Sequence, residues 1–202
     1  MSSHLSSSPR RTLNERQAET VEKLFAAASH LLDEVGHEQM TIRMVAQRAG
    51  VSPATAYTYF ASKDHLFSEL FWRLFSAPPG LSLTARSPQA RAHQVVTYLA
   101  SVIAGAPALA AAVNKSMLAS DPEVERLRLA VGALWIEYFR DAIGEDADPD
   151  VLQTLGFAFS GALLQAGMGL FAYDELAEVL GKVVDVVVGD AEGPKSSRRL
   201  LR

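Results

Sequence analysis

The sequence predicts an all-α chain, and three observations lead there. Apolar residues recur at intervals of three and four through most of the 202 residues, the spacing that gathers side chains onto one helical face. Capping residues precede these runs, and glycine or proline follows them. Two of the shortest runs also stand back to back around a glycine, within residues 41–60.

Residues 1–11, MSSHLSSSPRR, are serine-rich and lack the apolar core of roughly 7–15 residues that a secretory signal needs. They read as a flexible arm of a cytoplasmic chain. From Thr12 to Val35 the residues Val21, Leu24, Phe25, Ala28, Leu31, Leu32 and Val35 share one helical face. Thr12 with Glu15, or Asn14 with Gln17, can cap this helix, and Gly36 can end it. A second helix, Thr41 to Ala49, sets Ile42, Val45, Ala46 and Ala49 on one side and Arg43, Met44, Gln47 and Arg48 on the other, and Gly50 stops it. Ser52 can then cap a third helix whose first position holds Pro53, where the missing N–H costs nothing and the fixed φ already suits a helix.

On a wheel of about 100° per residue, Ala56 and Phe60 share the buried side of this third helix, while Ala54 and Thr58 lie opposite. Thr55 and Tyr57 flank the open face, and Tyr59 sits nearer the core edge with its hydroxyl able to reach outward. That face is small and rich in donors. Two short helices joined by a tight glycine turn, the second presenting such a face, make a helix-turn-helix. By spacing alone, two helices of an ordinary bundle fit equally.

The stretch TIRMVAQRAGVSPATAYTYFASKDHLF, residues 41–67, closely resembles the DNA-binding signature of the tetracycline-repressor (TetR) family: a threonine opens the second helix, AGVS makes the turn and YxYFxSK follows. The matching positions are Thr41, Ala46, Ala49, Gly50, Val51, Ser52, Thr55, Tyr57, Tyr59, Phe60, Ser62 and Lys63. Two departures stand out: Pro53-Ala54 replaces the commoner Lys-Gly pair, removing a possible phosphate contact, and Ala56 stands where a larger aliphatic is usual. The resemblance implies that Tyr57 and Lys63 hold phosphates, helped by Thr41, Arg43 and Tyr59, contacts that fix register and not sequence. Base reading then falls to Pro53, Ala54, Thr55 and Thr58, whose methyl and hydroxyl groups suit thymine methyls and base edges in the major groove.

The resemblance covers about the first 75 residues and divides the chain into an arm (1–11), a helix-turn-helix DNA-binding domain (12–62), a connecting helix (63–76), a helical ligand-binding and dimerisation domain (77–190) and a flexible basic tail (191–202). The formal charge of −4 and the pI near 5.7 exclude binding nucleic acid or anionic membrane through bulk charge. Residues 1–65 carry equal numbers of acidic and basic side chains, so a neutral head precedes an acidic remainder. Arg10 and Arg11 can enter a neighbouring minor groove, or the arm can simply be disordered. In the connecting helix Leu66, Phe67, Leu70, Phe71, Leu74 and Phe75 form an apolar stripe, broken at Ala77-Pro78-Pro79-Gly80.

Beyond Gly80 helices are expected near 88–105, 107–119, 122–143, 149–172 and 174–188. The uncharged stretches Gln94–Asn114 and Val151–Tyr173 are long enough to span a bilayer, but Pro107 interrupts the first, and polar residues and glycines dilute the second, so no membrane partner is expected. A helix apolar all round is buried on every side, which points to a partner subunit over the second stretch. Gly156, Ser160, Gly161 and Gly167 allow close helix approach, and Val183 and Val187 lie in an apolar strip of the last helix. The resemblance implies a four-helix interface about a two-fold axis and hence a homodimer on a near-palindromic operator in double-stranded DNA; a purely intrachain core is the other reading.

Tyr98, Trp135, Tyr138, Phe139 and Met168 sit on helices that could enclose a pocket, with Asn114 and Gln165 as polar anchors, although aromatics at helical spacing also make ordinary core. The scarcity of charge there favours an apolar small-molecule effector such as an acyl chain, a sterol or an aromatic compound. Zero cysteines exclude disulfides, zinc fingers and a thiol nucleophile. The five histidines have no metal-ligand spacing, and no GxSxG, P-loop or dinucleotide fingerprint occurs, so neither catalysis, a metal nor a cofactor is expected. The expectation is a ligand-responsive, homodimeric transcriptional repressor; a helical small-molecule carrier or adaptor is the rival, because the reading face lacks arginine.

Overall fold

The computed structural model describes residues 15–76 and 80–189. The expected arm, the Thr12 and Asn14 caps, the Ala77–Pro79 break and the basic tail lie outside them. The described residues hold helices and no strand: α1 (Glu15–Gln39), α2 (Ile42–Arg48), α3 (Pro53–Tyr59), α4 (Lys63–Ser76), α5 (Pro88–Ala104), α6 (Pro107–Ser116), α7 (Pro122–Ile143), α8 (Pro149–Gly167) and α9 (Leu176–Val187), with a 3-10 turn at Tyr173–Glu175. Pro53, Pro88, Pro107, Pro122 and Pro149 each take a first helical position, where the ring's fixed φ is already helical.

The chain forms two compact units. Among the described residues the first comprises 15–76 together with Gly105–Ala133, so α6 and the start of α7 return to pack with the first four helices. Its core holds Leu24, Phe25, Ala28, Leu32, Val45, Ala46, Ala56, Phe60, Leu66 and Phe67. Phe60 packs on Phe25 with ring centroids 5.2 Å apart. α1 presents the face its spacing predicts, and its regular helix breaks at Gly36 as expected. That glycine takes φ 73° and ψ 166°, and a further short turn follows, with the Met40 N–H bonded to the Gly36 carbonyl at 3.2 Å.

α4 differs from the expected one-sided stripe. Besides Leu66, Phe67, Leu70, Phe71 and Phe75, it buries Trp72, His65, Ser68 and Glu69, because it is covered on more than one side, by α6 among others.

The second unit comprises Pro79–Ala104 and residues from Leu134 onward: α5, the later part of α7, α8 and α9. α9 packs on both α5 and α8. At Gly181 the α5–α9 approach is close: a Cβ there would lie 3.3 Å from the His93 ring. His93 and Gln89 of α5 both bond to the Asp185 carboxylate of α9, at 2.8 and 2.9 Å. Arg91 donates to the Ala142 carbonyl at 2.6 Å, satisfying one of the end carbonyls that α7 cannot satisfy itself.

α8 ends five residues before the expected 172. Gly169 adopts φ 78°, and the Gly169 and Leu170 N–H groups bond back to the carbonyls of Ala166 and Gln165, a Schellman stop. Among the described residues no single helix is long and apolar enough to cross a membrane.

Candidate nucleic-acid interface

The turn between α2 and α3 is built from local chemistry. The Thr41 side chain accepts the Met44 N–H at 3.2 Å and caps α2. At the other end, Gly50 at φ 69° lets the Gly50 and Val51 N–H groups reach the carbonyls of Gln47 and Ala46. Ser52 then accepts the Thr55 N–H at 3.0 Å and opens α3, a cap whose loss to alanine costs about 1 kcal/mol. The glycine is required here, since a β-carbon is disfavoured at that φ.

α3 is anchored by its back. Ala56 and Phe60 are buried, whereas Pro53, Ala54, Tyr57 and Thr58 are exposed, Tyr57 to 48%. Tyr59 is half-buried. The hydroxyls are not all available: Thr55 shares a 2.8 Å hydrogen bond with Ser52, and Thr58 donates to the Ala54 carbonyl at 3.0 Å, leaving its methyl and lone pairs at the surface. What α3 offers is two methyl-bearing side chains, a proline ring and a phenol. Such a face permits close approach, and none of its groups can make a two-pronged bond to a base edge.

The cations around it are partly engaged. Arg48 forks onto Glu34 at 2.8 and 2.6 Å and holds that carboxyl below the usual glutamate range. Lys63, half-buried, donates to the His37 carbonyl at 2.8 Å, tying the start of α4 to the end of α1. Its ammonium keeps two further donors. Arg43 and Thr41 are exposed on α2.

In the second unit Trp135 and Phe159 pack with centroids 4.4 Å apart, and Tyr98 meets Tyr138 edge-on at 6.0 Å. Trp135, Tyr138 and Phe139 are buried. Burial, reinforced by the adjacent Tyr98 hydroxyl, pushes the Tyr138 phenol up to about 12, so it stays neutral and can donate a hydrogen bond. Tyr98 also borders an open groove of ≈ 410 Å³ with Ser82, His93, Gln94, Thr97 and Ser101. Gln165 and Met168 are exposed near the end of α8, because Gly169 stops the helix there, and Asn114 belongs to α6 of the first unit.

The expected pairing residues lie on α8 and α9, beside an apolar row on α8. Phe157, Gly161, Leu164 and Met168 follow one another along α8 at helical intervals, with Phe157 exposed to 69% and Met168 to 62%. Ser160 is exposed on the same helix with its hydroxyl on the Gly156 carbonyl, and Gly167 is exposed as well. On α9 Val186 is exposed and Val183 and Val187 are half-buried. Gly156 turns the other way: a Cβ there would meet Ile136 of α7 at 3.0 Å, so its small size serves packing within the chain.

Residues 24–70 match the family of bacterial regulatory proteins described as the tetR family. An uncharacterised HTH-type transcriptional regulator of Mycobacterium tuberculosis is 40% identical over 185 residues, covering 91% of this chain and 87% of that protein. This chain belongs to the TetR family. Two solved structures share its fold. A TetR transcriptional regulator from Rhodococcus superposes with a TM-score of 0.71 at 23% identity, over 86% of this chain and 98% of its own. Thermus thermophilus FadR, a TetR-family transcriptional repressor in complex with lauroyl-CoA, gives 0.64 at 21%, over 90% and 100%. The matched residues 24–70 contain the whole α2–turn–α3 element of this TetR-family regulator.

Proposed function

We propose that this regulator is a homodimeric repressor that sits on a near-palindromic operator and is released by an apolar small molecule bound in its second unit. The observation that carries the reading is α3: a helix capped at Ser52, anchored by Ala56 and Phe60, and open on the side that holds Pro53, Ala54, Tyr57 and Thr58. In this reading Tyr57, Lys63, Thr41, Arg43 and Tyr59 meet phosphates, while Pro53, Ala54, Thr55 and Thr58 face base edges.

The uncovered apolar row Phe157, Leu164 and Met168 supports pairing, since soluble chains seldom leave such rows open to water. A second copy related by a two-fold axis would cover it and present two α3 helices to the two halves of one operator. In this reading Gly161, Ser160 and Gly167 on α8 and Val183 and Val187 on α9 join that interface, and Gly156 packs within the chain against Ile136. The buried aromatics Trp135, Tyr138, Phe139 and Phe159, with Tyr98 against Tyr138, support an effector with an apolar part, and the acyl chain of the lauroyl-CoA held by the Thermus protein is such a part.

The test is selection from a random duplex pool at about 100 mM salt, where non-specific phosphate binding is weakened. An enriched palindrome is the expected result. A folded, dimeric chain that enriches nothing would instead support a carrier or adaptor. The enriched duplex then becomes the probe for effectors, scored by release in the presence of fatty acyl or sterol compounds.

A further inference from the structure

α4 carries a contradiction in its interior. It is flanked by leucines and phenylalanines, yet His65, Ser68 and Glu69 are exposed to 1%, 0% and 2%. A buried carboxylate is costly unless it is paired and hydrogen-bonded. Glu69 meets Arg126 of α7, whose Nη2 lies 3.0 Å from Oε1, and the same guanidinium reaches Glu123 through Nε at 3.2 Å. The His65 ring stands beside this pair, with Nε2 3.6 Å from Glu69, while its Nδ1 accepts the Ala61 N–H at 3.3 Å. Ala61 is the second residue beyond α3.

Four more polar contacts lie around the same corner. Ser62 donates to Asp121 at 2.9 Å and accepts the His65 N–H at 3.0 Å. Ser116 donates to Asp64 at 2.8 Å, and Lys115 pairs with Glu38. The segment from Lys115 to Arg126 thus grips the α3–α4 corner through directional bonds. α3 itself has seven residues and two core anchors, Ala56 and Phe60, on one line along its back. A line of two anchors leaves rotation about that line weakly fixed, so the corner just beyond α3 sets its pitch.

We propose that Arg126, acting through Glu69 and His65, is a positioning residue for α3, and that residues 115–126 form a polar clasp which holds that helix at the angle DNA requires. This inference rests on the reading of α3 as the DNA-contacting helix. Apolar packing would hold the corner as strongly, since buried ion pairs rarely exceed hydrophobic isosteres in stability. What the polar set adds is a fixed geometry, lost when one partner is withdrawn.

The experiment compares wild type, Arg126→Ala, Arg126→Lys and Asp121→Ala on the duplex that wild type enriches from the random pool, with amide hydrogen exchange in parallel. A charge-assisted bond of this kind makes a loss on the order of tenfold in affinity the expected result for Arg126→Ala, with Arg126→Lys recovering most of it. Exchange at Phe60 and Ala61 should quicken while Leu24 and Ala28 of α1 stay protected. Asp121→Ala, which opens the other jaw of the clasp and touches no DNA-facing residue, should lose severalfold even if Arg126→Ala fails to fold. Unchanged affinity in a folded Arg126→Ala or Asp121→Ala variant overturns the proposal, as does exchange that rises equally in α1. Absence of any enriched duplex for folded wild type removes the DNA reading itself and the clasp with it, an outcome distinct from wild-type binding that the variants leave untouched.

Discussion

α3 and α8 both leave one side uncovered, and the two open sides are opposites. α3 shows a proline, small methyl-bearing side chains and an exposed phenol; α8 shows Phe157, Leu164 and Met168. Water tolerates the first face at little cost, and a hydrated, charged partner can approach it without stripping large apolar groups. The second face gains only by being covered, at roughly 25 cal/mol for each Å² of apolar surface removed from water. The contrast separates a face suited to transient, salt-sensitive contact from one suited to a lasting protein interface.

The largest expected effect breaks the back of α3. Phe60→Ala removes a fully buried ring packed on Phe25 and should cost about 3–5 kcal/mol by denaturant unfolding, whereas Tyr57→Phe on the open side should leave stability within about 0.5 kcal/mol. Equal costs at the two positions would show that α3 has no distinct open face.

Next comes the apolar face of α8. Glutamates at both Phe157 and Met168 should weaken self-association by about 100-fold or more, since each charge would be buried without a partner. Sedimentation across a concentration series measures this, and an unchanged dimer would place the interface elsewhere.

Smaller effects sharpen the α3 side. Lys63→Ala should lower the salt slope of DNA binding by about 0.9, the value of one phosphate contact, while Thr58→Ala should shift base preference and leave the slope unchanged. An unaltered slope together with lower stability would assign the Lys63 ammonium wholly to the His37 carbonyl.

The smallest effect is one of pH. Burial opposes ionisation of Asp121, but the Glu123 N–H, the Ser62 hydroxyl and the nearby His65 together hold its carboxyl below the usual aspartate range. A carboxyl depressed in the folded state stabilises fully above its unfolded value of about 3.9 and loses that contribution as the pH falls through the lower folded value. Asp121→Asn should therefore flatten the acid limb of the stability curve below about pH 4, by under about 1 kcal/mol for a half-buried group still screened by solvent. A limb of unchanged steepness would mean that Asp121 is equally acidic when unfolded.

Local chemistry wrote the helix-turn-helix into the sequence. Thr41 and Ser52 cap helices through bonds to amides three residues on, Gly50 turns the chain by its own backbone freedom, and the 3.6-residue period fixes that Ala56 and Phe60 share a side. None of this needs a distant partner. The five prolines at helix starts follow the same logic. Where local signals conflicted, the expected end of α8 was too late: apolar residues continue past Gly167, yet the left-handed Gly169 ends the helix, and Gln165 and Met168 stand exposed at that end.

Tertiary structure alone decided what each small or charged side chain is for. Gly156 and Gly161 look alike in sequence, but Ile136 fills the space beside one and nothing approaches the other. His65 and Glu69 stand one helical turn apart in α4, but Arg126, the partner of Glu69, lies 57 residues further on and no period links them. The sequence by itself determined the helices, their caps and the polar character of α3, because those depend on neighbours within about one turn. Which face is covered, and by which residue, depends on contacts between segments far apart in the chain, where the physics of packing leaves no local trace.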